Sequence, residues 1–436
     1  MRMTSPTEPA TTAPQTAPDE VRASTRHPLT PPPRRPRSVG ILVGGIVGFL
    51  VVGVALLLVI AYLGIVLGPP AFFVAGLMAL VPLAIVLLGA HWIDRWEPEP
   101  IGIRIFAFLW GAGSSIVIAL VVDSAVQIFV KAHGGANGAT DLFQAVVQAP
   151  MVEEGAKGLG VLLIFLVANK YFDGPVDGIV FAVTVAAGFA FSENIQYFGL
   201  ELADPHATSG EVVQLFILRG LLSPFAHAMF TSLTGFFIGL AALRGGRWLG
   251  VLFAIIGWVP AALLHAFWNG SLSFVSDFFG YYVVVQVPLF VLAVVMVVLL
   301  RRREIRLTQL RLGDYVAAGW FHAGEIVSLA TPGGRRQALT WAAQHRLRPV
   351  MKRYIRDATR LALTRNRIVI GRNRAAAQLD EAALLTRLSA ERGGSARRPR
   401  ATGLRGRRAS GSRRVRGRGI PTRSTIRPIP RPRRRR

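Results

Sequence analysis

Eight apolar runs, at roughly residues 40–67, 70–91, 104–130, 142–169, 176–200, 212–243, 248–273 and 279–300, are each long enough to cross a hydrocarbon core, which takes about 20 helical residues. No other feature narrows the fold as far. In lipid every backbone N–H and C=O must be satisfied within its own segment, so the chain is expected to be all-α: a polytopic membrane bundle of about eight transmembrane helices. The first run does not read as a secretory leader. It is too long, it follows 38 polar residues rich in Pro, Thr and Ala, and no small-residue cleavage site comes after it.

Charge divides the same chain. Residues 1–38 hold 6 basic and 3 acidic residues, residues 39–300 hold 8 and 14, and residues 301–436 hold 36 and 7, which gives net charges of +3, −6 and +29. Residues 39–300 are therefore expected to be the membrane-embedded domain, lying between basic ends. Its short loops alternate: Arg95 with Arg104, Lys170, and Arg244 with Arg247 fall on one side, and loops poor in Lys and Arg on the other. The positive-inside rule then puts both termini in the cytoplasm of a multi-pass inner-membrane protein, as an even helix count requires. The absence of cysteine removes disulfides, thiolate nucleophiles and Cys-type metal sites.

Outside the membrane domain, residues 1–38 read as a disordered arm, because their composition buries too little to offset the entropy of ordering. Residues 301–390 read as a cytoplasmic basic helical segment. Within it Leu347, Val350, Met351, Tyr354, Ile355, Ala358 and Leu361 make an apolar helical stripe flanked by arginines, suited to an anionic lipid surface or to a small helical subdomain. Residues 391–436, with 18 arginines in 46 residues, read as a disordered tail. Polyarginine attracts any polyanion, so anionic lipid is the expected partner of this basic region and no specific nucleic acid is implied.

Ionisable groups at bilayer depth are costly, and each is a candidate functional residue. They cluster here. Glu153, Glu154 and Lys157 stand in MVEEGAKG, Glu193 and Asn194 in FSENIQY, Arg219 and His227 in the sixth run, and His265 with Asn269 in HAFWNG. At 1.5 Å per residue from the outer end, Glu154 lies about 18 Å deep, Glu193 about 10 Å, His227 about 23 Å and His265 about 12 Å. One layer, between the midplane and the outer leaflet, accommodates them all. His265 and Asn269, four apart, share a helical face, and Lys157 can neutralise one glutamate while its neighbour points elsewhere. Arg219 is expected to snorkel to the outer interface. A buried carboxylate beside two histidines and an amide suits the activation of water, with no organic cofactor needed.

The motifs EEGAKG, DGIVFAVTVAAGFAFSENIQYF, a histidine in the next helix and HAFWN, together with DRWEPEP before the third run, resemble the PrsW family of bacterial intramembrane proteases. That family is similar in turn to the CAAX-processing and bacteriocin-processing proteases, with a Glu-Glu-x-x-Arg, a His and a His-x-x-x-Asn on successive helices. The resemblance covers about residues 91–300. It departs from the CAAX pattern at Lys157, where arginine is usual, and in the added pair Glu193-Asn194. It implies an intramembrane endopeptidase in which Glu153 or Glu154 activates water, His227 assists, and His265 with Asn269 stabilises the oxyanion. Lys157, Glu193 and Asn194 would support them. It also implies a membrane-protein substrate, such as a single-pass anti-sigma factor.

Two mechanisms stay open. In one, His227, His265 and Glu193 hold a zinc ion; in the other no metal takes part and one glutamate acts on water directly. Other intramembrane chemistries lack their signatures, since HExxH, GxSG and GxGD do not occur. The alternative from another class is a transporter or proton-coupled carrier using the Glu/Lys/His cluster, weakened by the lack of an internal repeat.

Overall fold

The apolar runs become helices in the computed structural model, which describes residues 39–396; the expected disordered arm, 1–38, and the tail beyond 396 lie outside the described residues. The first two are α1 (Val39–Leu67) and α2 (Pro69–Ile93). The third joins α3 (Ile101–Leu109) to α4 (Ile116–Ala132) through a π-helical turn, Trp110–Ser115. Then α5 (Gly138–Phe143), a π turn at Gln144–Gln148 and α6 (Ala149–Ala168) follow without a break. After α7 (Pro175–Ala203) come α8 (Ser209–Leu215), a π turn at Phe216–Leu222 and, past a break, α9 (Ala226–Arg244). The bundle is completed by α10 (Arg247–Leu272), then α11 (Phe278–Tyr281), a π turn at Tyr282–Gln286 and α12 (Val287–Gly313). Among the described residues every regular element is helical.

Seven of these helical stretches are long and apolar enough to cross a membrane. The run expected over 142–169 is a helix too, yet it stands apart from the seven. Glu153, Glu154 and Lys157 all fall in α6, and no other run carries so many charges so close together.

The bundle is organised around α7. In its most apolar stretch 89% is buried, against 6% for α12 at the periphery. The sequence accounts for this: VFAVTVAAGFAF is apolar or small on every side, which suits a helix surrounded by others. Small residues also let its neighbours come close. A Cβ on Gly178 would fall 2.0 Å from the Gly235 carbonyl oxygen of α9, and one on Gly111 would fall 1.9 Å from the Val185 carbonyl oxygen, so only glycine allows these crossings. Helix α10 packs on α9 and α6, and α6 is further fixed by Trp110, whose Nε1 donates to the Ala156 carbonyl at 2.9 Å.

Helix α12 continues through Leu300 to Gly313, so the change from apolar to basic composition falls inside one helix. Its end packs with α13 (Ala323–Ala330), α14 (Pro332–Gln344), α15 (Arg348–Val369) and α16 (Arg374–Ala396) around Leu312, Tyr315, Phe321, Ile355 and Leu361. The predicted amphipathic stripe is thus buried in a helical subdomain, leaving its arginines outward. Arginines tie this subdomain to two bundle loops. Arg335 lies 3.3 Å over the Trp96 ring and donates to the Trp96 carbonyl at 2.8 Å, while Arg367 grips Asp173 at 2.5 and 2.6 Å. Beside Trp96, burial pushes the Asp94 carboxyl up to about 6 despite its bonds from the Glu99 amide and Arg104.

Candidate active site

Helices α6, α7, α9 and α10 bring the predicted polar residues to one cavity of about 150 Å³. Glu153, Glu193, Asn194, His227, His265 and Asn269 all line it, with Arg219, Phe230 and Trp268. Three irregular stretches shape its walls: the π turn at Gln144–Gln148 supplies Ala145, the π turn at Phe216–Leu222 supplies Arg219, and the break that follows supplies Ser223 and Pro224. Such π segments recur at functional sites because they re-aim side chains without ending the helix.

The two adjacent glutamates have different surroundings. Glu154 is wholly buried, with Lys157 Nζ 2.6 Å from its Oε1. The His265 Nδ1 lies 3.2 Å from the same oxygen, and Thr231 Oγ1 donates to Oε2 at 2.8 Å. Glu153 keeps 14% of its side chain exposed and has Lys157 at a longer 3.4 Å. The roughly 100° turn between neighbours on a helix has placed one carboxylate in the protein and the other on the cavity.

His227 bridges two networks. Its Nδ1 accepts from Lys157 Nζ at 3.1 Å, so Nε2 carries the proton that faces Glu193 Oε2 at 2.8 Å. Glu193 is also paired with Arg219 at 2.5 Å, and Arg219 donates to Asn194 Oδ1 at 3.0 Å while lying 3.8 Å over the Tyr197 ring. Arg219 therefore stands in the cavity wall, paired with Glu193. The π turn that carries it rotates it inward, which a count of regular helical rises does not register.

Asn269 donates to the Ala145 carbonyl at 3.0 Å, which holds its amide against the π turn before α6. Thr231 was not singled out in the sequence. Its signal is its spacing, four residues after His227, which puts it on the same face of α9.

Among the described residues, the group able to converge on a metal ion is Glu153, His227 and His265, whose donor atoms lie within 4.8 Å of one another. Glu193, expected to join the two histidines as a ligand, is not in that group; its Oε2 pairs with Arg219 at 2.5 Å and faces His227 Nε2 at 2.8 Å. The set fits a cation by its chemistry: two imidazoles with one carboxylate is a frequent catalytic zinc set that leaves a position for water. Glu154 on His265 Nδ1 is an outer partner of the kind that orients metal-bound histidines, and Glu193 on His227 Nε2 would be a second once Lys157 gives up His227 Nδ1 to the ion. Tetrahedral ligands at about 2.0–2.1 Å sit roughly 3.3 Å apart, so the three side chains would close slightly around an ion.

Comparison with known proteins agrees with this geometry. The family described as "PrsW family intramembrane metalloprotease" matches residues 99–306. "Protease PrsW" of Clostridioides difficile is 33% identical over 175 residues, covering 39% of this chain and 67% of that protein. The protein of the same name from Geobacillus kaustophilus is 32% identical over 148 residues, 34% of this chain and 58% of its own length. That from Bacillus subtilis is 25% identical over 188 residues, covering 43% and 78%. No solved structure matches the chain. The matched region contains the cavity and every residue described around it, and the chain belongs to the PrsW family of intramembrane proteases.

Proposed function

We propose that this protease hydrolyses a peptide bond of another membrane protein in the cavity between α6, α7, α9 and α10, with Glu153 as the carboxylate that works on water. The observation that carries this reading is the unequal placement of the two glutamates: Glu154 is bound on all sides, whereas Glu153 faces the cavity beside both histidines. A carboxylate within reach of a water molecule and of imidazoles can accept the proton as attack proceeds and return it to the leaving amine. His227, held between Lys157 and Glu193, keeps one tautomer and assists that transfer.

Attack places negative charge on the carbonyl oxygen, and donors already in position stabilise it, each worth about 3 kcal/mol. With Nδ1 held by Glu154, His265 has Nε2 left for the substrate. Asn269, one turn further along α10, would donate to the same oxygen by exchanging its Ala145 carbonyl. Phe189, Phe230 and Trp268 keep bulk water from the two histidines.

In the alternative arrangement Glu153, His227 and His265 would hold a divalent cation, zinc by the chemistry of the set; His265 Nε2 and the Glu153 carboxylate would then be ligands, Asn269 would be left as the oxyanion donor, and the ion would lower the pKa of bound water and polarise the carbonyl. By family, the substrate class is a single-pass protein such as an anti-sigma factor. Loop charge supports cytoplasmic termini, in keeping with an inner-membrane protein whose basic end would meet anionic lipid.

Metal analysis of the purified full chain tests the metal assignment. One zinc per chain, lost in His227→Ala and in His265→Ala, is the expected result. Full proteolytic activity in protein that carries no metal, before and after chelator, would contradict the assignment and leave Glu153 acting alone.

A further inference from the structure

A second, more apolar cavity adjoins the active site. Its volume is about 170 Å³, below the range of about 300–1,000 Å³ typical of small-molecule pockets and suited to a single side chain. The two cavities share Ser223, Pro224, Ala226 and Trp268, so the broken segment between the π turn and α9 is the wall between them. On the far side stand Ile85 of α2, Met229 of α9 and Phe290 of α12.

One polar group does not belong in such a place. Gln286, only 2% exposed and the last residue of the π turn before α12, lines this cavity with its Oε1 buried and without a hydrogen-bond partner. Buried acceptors are ordinarily satisfied, and one left open beside a cavity calls for a donor from whatever enters. A substrate provides one. To be cut, a membrane-spanning helix must first unwind, and unwinding in a water-poor site frees backbone N–H groups that need new acceptors.

We propose that this cavity is the subsite that selects the substrate: it takes one large apolar side chain, of leucine or phenylalanine size, beside the scissile bond, while Gln286 Oε1 accepts an adjacent backbone N–H of the unwound segment. The proposal rests on the proteolytic reading of the neighbouring cavity and adds the determinant of substrate choice. Shape selects the side chain, and the amide recognises the unwound backbone whatever that side chain is.

The test uses the full chain reconstituted in liposomes with single-span peptides of polyleucine–alanine flanks and a central Gly-Gly-X-Gly segment, X being Ala, Leu, Phe or Asp. Products are mapped by mass spectrometry. Cleavage next to X is expected to be at least tenfold more efficient, as kcat/KM, for Leu or Phe than for Ala. Ile85→Trp, which fills the cavity, is expected to bring that ratio to one or below. Gln286→Leu, similar in size but without the acceptor, is expected to lower kcat/KM about tenfold for every X and leave the ratio unchanged. A ratio undisturbed by Ile85→Trp, or an unaltered rate in Gln286→Leu, would overturn the proposal. Glu153→Gln serves as the separate control. Cleavage that persists in it points to failure of the active-site reading, and the effect of X on the wild-type chain still reports on the subsite.

Discussion

An ammonium group taken wholly out of water costs several kcal/mol unless carboxylates compensate it, and a carboxylate stripped of its cation costs as much. Lys157 is fully buried between Glu154, Glu153 and the His227 Nδ1, with the Phe189 ring 4.0 Å from its Nζ. It holds both the buried carboxylate and the histidine tautomer. Lys157→Met is therefore expected to lower stability by about 3–5 kcal/mol, measured as a fall in the thermal midpoint in detergent. Lys157→Arg, which preserves the charge, should lose less than half of that. Equal losses in the two variants would mean that side-chain volume, not charge, holds this position.

At the level of helices, contact between α7 and α9 sets the distance between Glu193 and His227. That contact rests on Gly178 and Gly235, so Gly178→Leu should push the helices apart where a Cβ already falls 2.0 Å from a carbonyl oxygen. The expected result is a lower thermal midpoint and at least a tenfold loss of cleavage, although Gly178 lies about 22 Å along α7 from Glu193. Gly64→Leu, with open space around its Cβ, should change neither. Full activity in Gly178→Leu would show that this crossing does not position the site. Much of this arrangement was legible in the sequence. Regular helices keep a constant rise, so counting residues from the runs' ends brought Glu154, Glu193, His227 and His265 to one layer, and all but Glu154, buried just behind, line the cavity. What counting could not supply lies at the irregular turns. The π turn at Phe216–Leu222 carried Arg219 into the cavity and beside Glu193, which left Glu153 as the carboxylate grouped with the two histidines. Spacing alone also could not tell which of two adjacent glutamates faces inward, because that depends on where Thr231 and His265 stand on other helices.

Across the whole molecule, the site helices are anchored from one end. The loop between α6 and α7 contains Asp173, gripped by Arg367, while Arg372 donates to the Phe172 and Asn169 carbonyls. The C-terminal helical subdomain thereby fixes the connection between the helix carrying Glu153 and the helix carrying Glu193. Whether Glu153 is the working carboxylate and Glu154 its structural neighbour is decided by cleavage rates of a single-pass membrane substrate by purified Glu153→Gln and Glu154→Gln in liposomes. Folded Glu153→Gln is expected to lose at least a hundredfold in kcat with an unchanged thermal midpoint, and Glu154→Gln to lose stability as well as rate. Wild-type cleavage by Glu153→Gln would contradict a catalytic role for Glu153.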